Sequence, residues 1–241
     1  MSVLRCTVTD ARGTLDFDAV RAVTATLRTP EPDVGAVLLT GEGPHFCVGA
    51  DVGALAAEDT DVRGLAGALH ELVRAVVEVP VPVVAAVRGW AAGAGMSLAL
   101  AADLAVAGVS TRLRPAYPAI GLSPDGGLTW TLPRAVGAAR ARHILLTDRV
   151  LDADEALALG LVATVVADDR VVAEAEALAQ RLADGPVRAL GRTKRLLHEG
   201  ADRDLAAQLD AEADAIAGSV ADEGREGVAA FLARRPPRFP H

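Results

Sequence analysis

Two glycine-bearing segments are where this chain is equipped for chemistry. One is Gly41-Glu42-Gly43-Pro44-His45-Phe46-Cys47-Val48-Gly49-Ala50-Asp51, and the other is Gly89-Trp90-Ala91-Ala92-Gly93-Ala94-Gly95-Met96-Ser97. The second opens directly into an apolar helical stretch, and the first N–H groups of a helix have no internal acceptor. Small side chains let a ligand come close to that backbone. Two amides converging on one oxygen make an oxyanion hole, in which loss of one donor typically costs roughly 100- to 1,000-fold in rate. The same glycines also suit plain helix–strand packing. Gly93-Ala94-Gly95 is not a dinucleotide fingerprint, because its sixth position is Leu98. There is no Walker loop, no His-Glu-x-x-His and no Gly-x-Ser-x-Gly. The five histidines lack ligand spacing and Cys6 and Cys47 make no zinc motif, so no metal site is expected.

The elements that must hold these segments are legible. Val34–Thr40 and Val81–Val87 read as buried strands, and each chemical segment leaves the carboxyl end of one of them, the usual ligand crevice of parallel α/β sheets. Asp103–Ala107 and Val162–Val166 are weaker strand candidates. Asp16–Leu27, Val62–Val79 and Gly95–Ala102 carry helical spacing. Alternation of strand and helix implies right-handed crossovers and a mostly parallel sheet. Beyond about Ala138 the pattern is almost wholly helical, with helices expected over Arg170–Ala183, Pro186–Glu199, Leu205–Gly218 and Asp222–Arg234. The reading is an α/β core over residues 1–185 and a helical C-terminal region over 186–241.

The 241 residues are 51% hydrophobic, 23% charged and 3% aromatic, enough for one domain with a sizeable core. Fifty are alanine, so close backbone approach must build much of that core. A net charge of −8 argues against binding along a nucleic-acid backbone. The longest apolar stretch of interest, Gly89–Ala102, is too short for a membrane span, which needs roughly 20 residues. Cysteine usage and the start of the chain give a cytoplasmic expectation.

The two segments, in this order and spacing, resemble the crotonase (enoyl-CoA hydratase/isomerase) superfamily. Phe46-Cys47-Val48-Gly49-Ala50-Asp51 is similar to its Phe-Cys-Ala-Gly-Ala-Asp stretch, and Arg88 to Gly95 is similar to its second oxyanion segment. Gly121-Leu122-Ser123-Pro124-Asp125-Gly126-Gly127 with Leu132 to Gly137, Leu146 to Val162, and Glu226 to Phe239 are further collinear matches. The resemblance implies a crotonase-like ββα spiral core with C-terminal helices used in trimerisation. It implies a homotrimer or hexamer and an acyl-CoA thioester as ligand. No separate cofactor is expected, since coenzyme A belongs to the substrate. The family's two enolate-stabilising amides fall on Ala50 and Ala94. Substrate-wall positions then fall on Val48, Gly49, Asp51, Val52 and Leu55, on Trp90, Gly93 and Ser97, and on Tyr117, Leu122 and Trp130.

The hydratases of this family hold water with two glutamates, and the matching positions here are Ser97 and Tyr117. Neither is a carboxylate, so two-glutamate hydration is not expected. Asp125 matches the single aspartate of isomerases resembling the phenylacetate-pathway ring-opening enzyme, and also a dehalogenase nucleophile. Its bland alternatives are a turn residue or the N-cap of the helix that follows. The leading expectation is therefore an acyl-CoA isomerase with Asp125 as acid/base. One alternative is a hydratase or hydrolase using Ser97, Tyr117, Glu58 or Asp59; another is a catalytically weak auxiliary subunit. The family's N-terminal Asn-Arg-Pro stretch is missing, and Arg12 or Arg234-Arg235 are candidates for the CoA phosphate instead.

Overall fold

The computed structural model describes residues 1–55 and 59–239, with Ala54 and Leu55 as backbone only. In chain order the elements are β1 (Ser2–Thr7), α1 (Phe17–Arg28), β2 (Val34–Thr40), α2 (Val52–Leu55), α3 (Val62–Glu78), β3 (Val83–Val87), β4 (Trp90–Ala92), α4 (Ala94–Ala101), β5 (Leu104–Gly108) and β6 (Arg112–Arg114). Then follow α5 (Leu128–Val136), α6 (Ala138–Leu146), β7 (Leu151–Asp152), α7 (Ala153–Ala158), β8 (Thr164–Val166), α8 (Val171–Ala183), α9 (Val187–Gly200), α10 (Leu205–Ser219) and α11 (Arg225–Leu232).

Unbroken apolar runs make strands that are buried on both faces. β2 and β3 are such runs, and every residue of both is buried. They lie side by side in a five-stranded sheet of order β1-β2-β3-β5-β8, parallel throughout. Alternate side chains go to opposite layers. Ala36, Leu38, Val84, Ala86 and Val106 meet α8, whose Ala175, Ala179 and Ala183 form a stripe of small residues at four-residue spacing. That stripe lets the helix lie so close that a Cβ on Gly35 would come 2.9 Å from Ala183 Cα. Val37, Leu39, Val83, Ala85 and Val87 face the larger cluster with Val20 and Leu27 of α1, Leu69 and Leu72 of α3, and Met96 and Leu98 of α4.

A second, three-stranded sheet of order β4-β6-β7 stands beyond the carboxyl end of β3, with β4 and β6 parallel and β6 and β7 antiparallel. The mixed α/β architecture with a parallel main sheet is the one expected. β1, β4, β6 and β7 were not anticipated. β1 is an edge strand carrying Arg5, and the others span only two or three residues, too few for a periodic signal. The C-terminal helices fall within a residue or two of expectation, except that the last begins with a π turn, Val220–Gly224.

That π turn has a use. It buries Glu223, whose carboxylate accepts from the amides of Arg188 and Ala189 at 3.0 Å each. These are unpaired donors at the start of α9. The side chain thus caps α9 from another helix.

Candidate active site

The parallel order of β2 and β3 delivers both glycine-bearing segments to the same sheet edge, where backbone bonds zip them together. Phe46 N–H donates to Arg88 O at 2.7 Å, Cys47 N–H to Trp90 O at 3.2 Å, and Ala92 N–H to Cys47 O at 2.9 Å. Gly95 is needed for contact: a Cβ there would sit 2.0 Å from the Cys47 carbonyl oxygen. The turn before α1 braces the first segment, since Val48 N–H donates to Gly13 O and Leu15 N–H to Gly49 O.

Gly49 and Gly93 hold φ of +94° and +57°, in the half of backbone space that L side chains avoid. The amide that follows each one, of Ala50 and of Ala94, has no acceptor among the described residues. Ala94 is also the first residue of α4, so its N–H lies at the positive end of the helix. Ala50 and Ala94 line one cavity of about 480 Å³. Two unpaired, pre-oriented amides on one apolar cavity are the equipment for holding a developing oxyanion.

Asp125 lines the same cavity and is partly buried. It is not a helix cap: the N-cap of α5 is Gly127, and no side chain caps that helix. Its Oδ1 instead accepts a 2.6 Å hydrogen bond from the Tyr117 hydroxyl. Burial first, and then the neighbouring carboxylate, pushes the Tyr117 phenol well above its ordinary range, so it remains a protonated donor. Beneath them the fully buried Ser97 hydroxyl donates to the Asp125 backbone carbonyl at 3.0 Å.

Most of the expected site residues converge here. Val48, Gly49, Ala50, Val52, Gly93, Ala94, Tyr117, Leu122 and Asp125 share the cavity with an apolar wall from Phe17, Leu65 and Leu69. Four others do not line it. Ser97 lies below the floor. Asp51 turns outward, where Oδ1 accepts from Gly53 N–H and Arg12 lies 3.9 Å away. Trp90 is held in β4, its carbonyl bonded to Cys47 N–H. Trp130 is corrected by helix periodicity: Leu128 and Leu132 of α5 point into the core, so Trp130 faces the other way. It lies under the Arg134 guanidinium at 3.8 Å and against His198 of α9. The Leu55 side chain and Glu58 lie outside the described residues; Asp59 is exposed.

Of the candidates for a CoA phosphate, Arg12 is paired with Asp10 and Arg235 with Glu226. Sequence reasoning missed Arg114, which lines the cavity while its Nε and Nη2 donate to Asp148 Oδ2 at 3.0 and 2.5 Å. Asp148 Oδ1 also takes the amide of Ala116, a non-glycine residue at φ +64°. Nothing local in the sequence marks that pair, 34 positions apart. Burial pushes the Cys47 thiol up to about 12, so it is no nucleophile at neutral pH. Among the described residues no cluster of three or more His, Cys, Asp or Glu side chains is placed to hold a metal, and no helix is long and apolar enough to cross a membrane.

The profile of the Enoyl-CoA hydratase/isomerase family matches residues 10–241. The chain belongs to the enoyl-CoA hydratase/isomerase family. Within that family, it is 43% identical over 220 residues to the protein named "Probable enoyl-CoA hydratase" of Rhodobacter capsulatus, covering 90% of this chain and 85% of the relative. It is 40% identical over 216 residues to the 1,2-epoxyphenylacetyl-CoA isomerase of Escherichia coli, covering 86% and 81%. The crystal structure of an enoyl-CoA hydratase from Polaromonas sp. JS666 superposes with a TM-score of 0.91 at 34% identity, covering 99% and 96%. The crotonase architecture of this enoyl-CoA hydratase/isomerase family member thus has both sequence and structural support.

Proposed function

We propose that this protein is an acyl-CoA isomerase that shifts a double bond through a thioester enolate. The observation that carries the reading is that Asp125 is the one carboxylate among the described residues lining the cavity, beside the two unpaired amides. Activating water with a carboxylate pair would need a second acid. Moving a double bond needs one.

In a 3-enoyl thioester, the Asp125 carboxylate takes a proton from C2. The C–H electron pair spreads through the dienolate onto the thioester oxygen, which the Ala50 and Ala94 amides hold. The pair then returns through the chain, leaving a C2=C3 bond, and the protonated Asp125 gives the same proton to C4. A positioned acid/base contributes typically 100- to 10,000-fold. The apolar wall of Phe17, Leu65 and Leu69 suits an acyl chain and keeps water from the dienolate. A homotrimer or dimer of trimers is proposed as well, because the C-terminal helices leave large apolar side chains uncovered in the single chain.

The test is to supply 3-enoyl-CoA and crotonyl-CoA in parallel to the wild type and to Asp125→Asn. Isomerisation of the first, reduced at least about 100-fold in the variant, is expected. Fast hydration of crotonyl-CoA that survives Asp125→Asn would sink the proposal. The name of the Rhodobacter relative favours a second reading, hydration, with water held by Asp125 and Tyr117. Accumulation of 3-hydroxyacyl-CoA would distinguish it.

A further inference from the structure

We propose that Tyr117 is a positioning residue that occupies one oxygen of the Asp125 carboxylate, so that the other oxygen alone takes the proton and gives it back. This rests on the isomerase reading above.

The Tyr117 hydroxyl lies 2.6 Å from Asp125 Oδ1, and its ring is buried. Asp125 Oδ2 has no partner among the described residues, while the residue lines the cavity. The backbone that carries Asp125 is tightly packed. Gly126, at φ +58°, lies so close to Ser97 that a Cβ would approach its Cβ to 2.7 Å, and the Ser97 hydroxyl holds the Asp125 carbonyl from below. Among the described residues, the elements around the carboxylate bring little other charge. α3 contributes only Val62, Leu65, Ala66 and Leu69 to the cavity, and α4 contributes Ala94. Among the described residues Arg114 is the remaining charged group on the cavity, and two of its nitrogens are held by Asp148.

A phenol donating to one carboxylate oxygen occupies it and fixes the plane of the group. During turnover the Oδ2 lone pair takes the C2 proton and the resulting Oδ2–H returns it to C4, while Tyr117 keeps its own proton. An unrestrained carboxylate would rotate between oxygens and lose alignment with one of the two carbons.

Tyr117→Phe should lower kcat by about 10- to 100-fold, the rate equivalent of one charge-assisted hydrogen bond, with KM changed less than threefold. Tyr117 is the chain's only tyrosine, so tyrosine labelled with ¹³C at Cζ gives one resonance that reports this contact without substituting Tyr117. That resonance should be displaced in Asp125→Ala, where the hydroxyl has lost its acceptor. Wild-type kcat in Tyr117→Phe would overturn the proposal. If that variant fails to fold, a Tyr117 resonance at one and the same position in the wild type and Asp125→Ala overturns it equally. A wild type with no isomerase activity, but a resonance that is still displaced in Asp125→Ala, sinks the isomerase reading and the shuttle with it while the contact stands.

Discussion

At Gly93 the physical demand is conformational, since a methyl group there would meet nothing nearer than 3.9 Å. Its φ of +57° with ψ of −125° is what aims the next amide, and an L side chain strains that geometry. Gly93→Ala should therefore cost about 1–3 kcal/mol in urea unfolding. It should also lower kcat by at least about tenfold, as the Ala94 N–H swings off the proposed oxyanion position. A variant with unaltered turnover would show that this amide is not used. Gly95, two residues on, is glycine for a different reason, the close Cys47 carbonyl, so the same spacing in sequence conceals two separate requirements. Asp125 and Tyr117 lie eight residues apart. Whether such a pair meets is decided by the turn between them, which is invisible in residue type.

Among the elements, α9 is joined to the core through Lys194, the chain's one lysine. Its ammonium donates to the carbonyls of Val76 and Val81 at 2.8 and 3.3 Å and pairs with Asp103 Oδ2 at 2.9 Å. Asp103 Oδ2 in turn accepts the amide of Val83 at 2.7 Å, so one carboxylate ties β3 to the start of β5. Burial lowers the pKa of Lys194, while the Asp103 charge opposes that shift. Lys194→Ala would leave two carbonyls and a carboxylate without their cation, and should destabilise by about 3 kcal/mol in denaturant unfolding, in the range for breaking a buried pair. Loss of less than about 0.5 kcal/mol would mean that water replaces the ammonium at little cost. Gly191 of the same helix lies so near Pro80 that a Cβ would stand 2.1 Å from its carbonyl oxygen. The two contacts set where α9 sits.

For the molecule as a whole, acid should first loosen the C-terminus. Glu226 is held down to about 2 by the bidentate Arg235 guanidinium and then by the amide of Arg238. A carboxyl whose folded pKa lies below its ordinary value near 4.5 stabilises above that value and loses the contribution as pH falls. The segment after α11 should thus detach between about pH 4.5 and 2, and Glu226→Gln should free it at neutral pH. Limited tryptic proteolysis after Arg234 and Arg238 at neutral pH would report the release in the variant, and equal cleavage rates in wild type and variant would refute it. Phe231 and Leu232 of α11 and Leu205 of α10 are each more than 70% exposed in the single chain. Surface of this kind marks contact with a partner, which under the proposed assembly is a further copy of this chain. If the proposed trimer or hexamer forms, Phe231→Glu should shift its light-scattering mass toward monomer, and an unshifted assembly would remove that face from the interface.

The amino-acid sequence by itself determined the buried strands β2 and β3, the helices from α8 onward and the two segments at their sheet edge, because burial on both faces and helical periodicity are local patterns. It also supplied the collinear motifs that placed Ala50, Ala94 and Asp125 in one family scheme. Tertiary structure alone decided which side chains share the cavity. It turned Trp130 away from the cavity to α9, put Ser97 beneath the floor and brought Arg114 to Asp148 across 34 residues. It also set the Tyr117 hydroxyl on Asp125. Those outcomes depend on side-chain direction and on contacts between elements far apart in the chain, and no local pattern of residue types encodes either one.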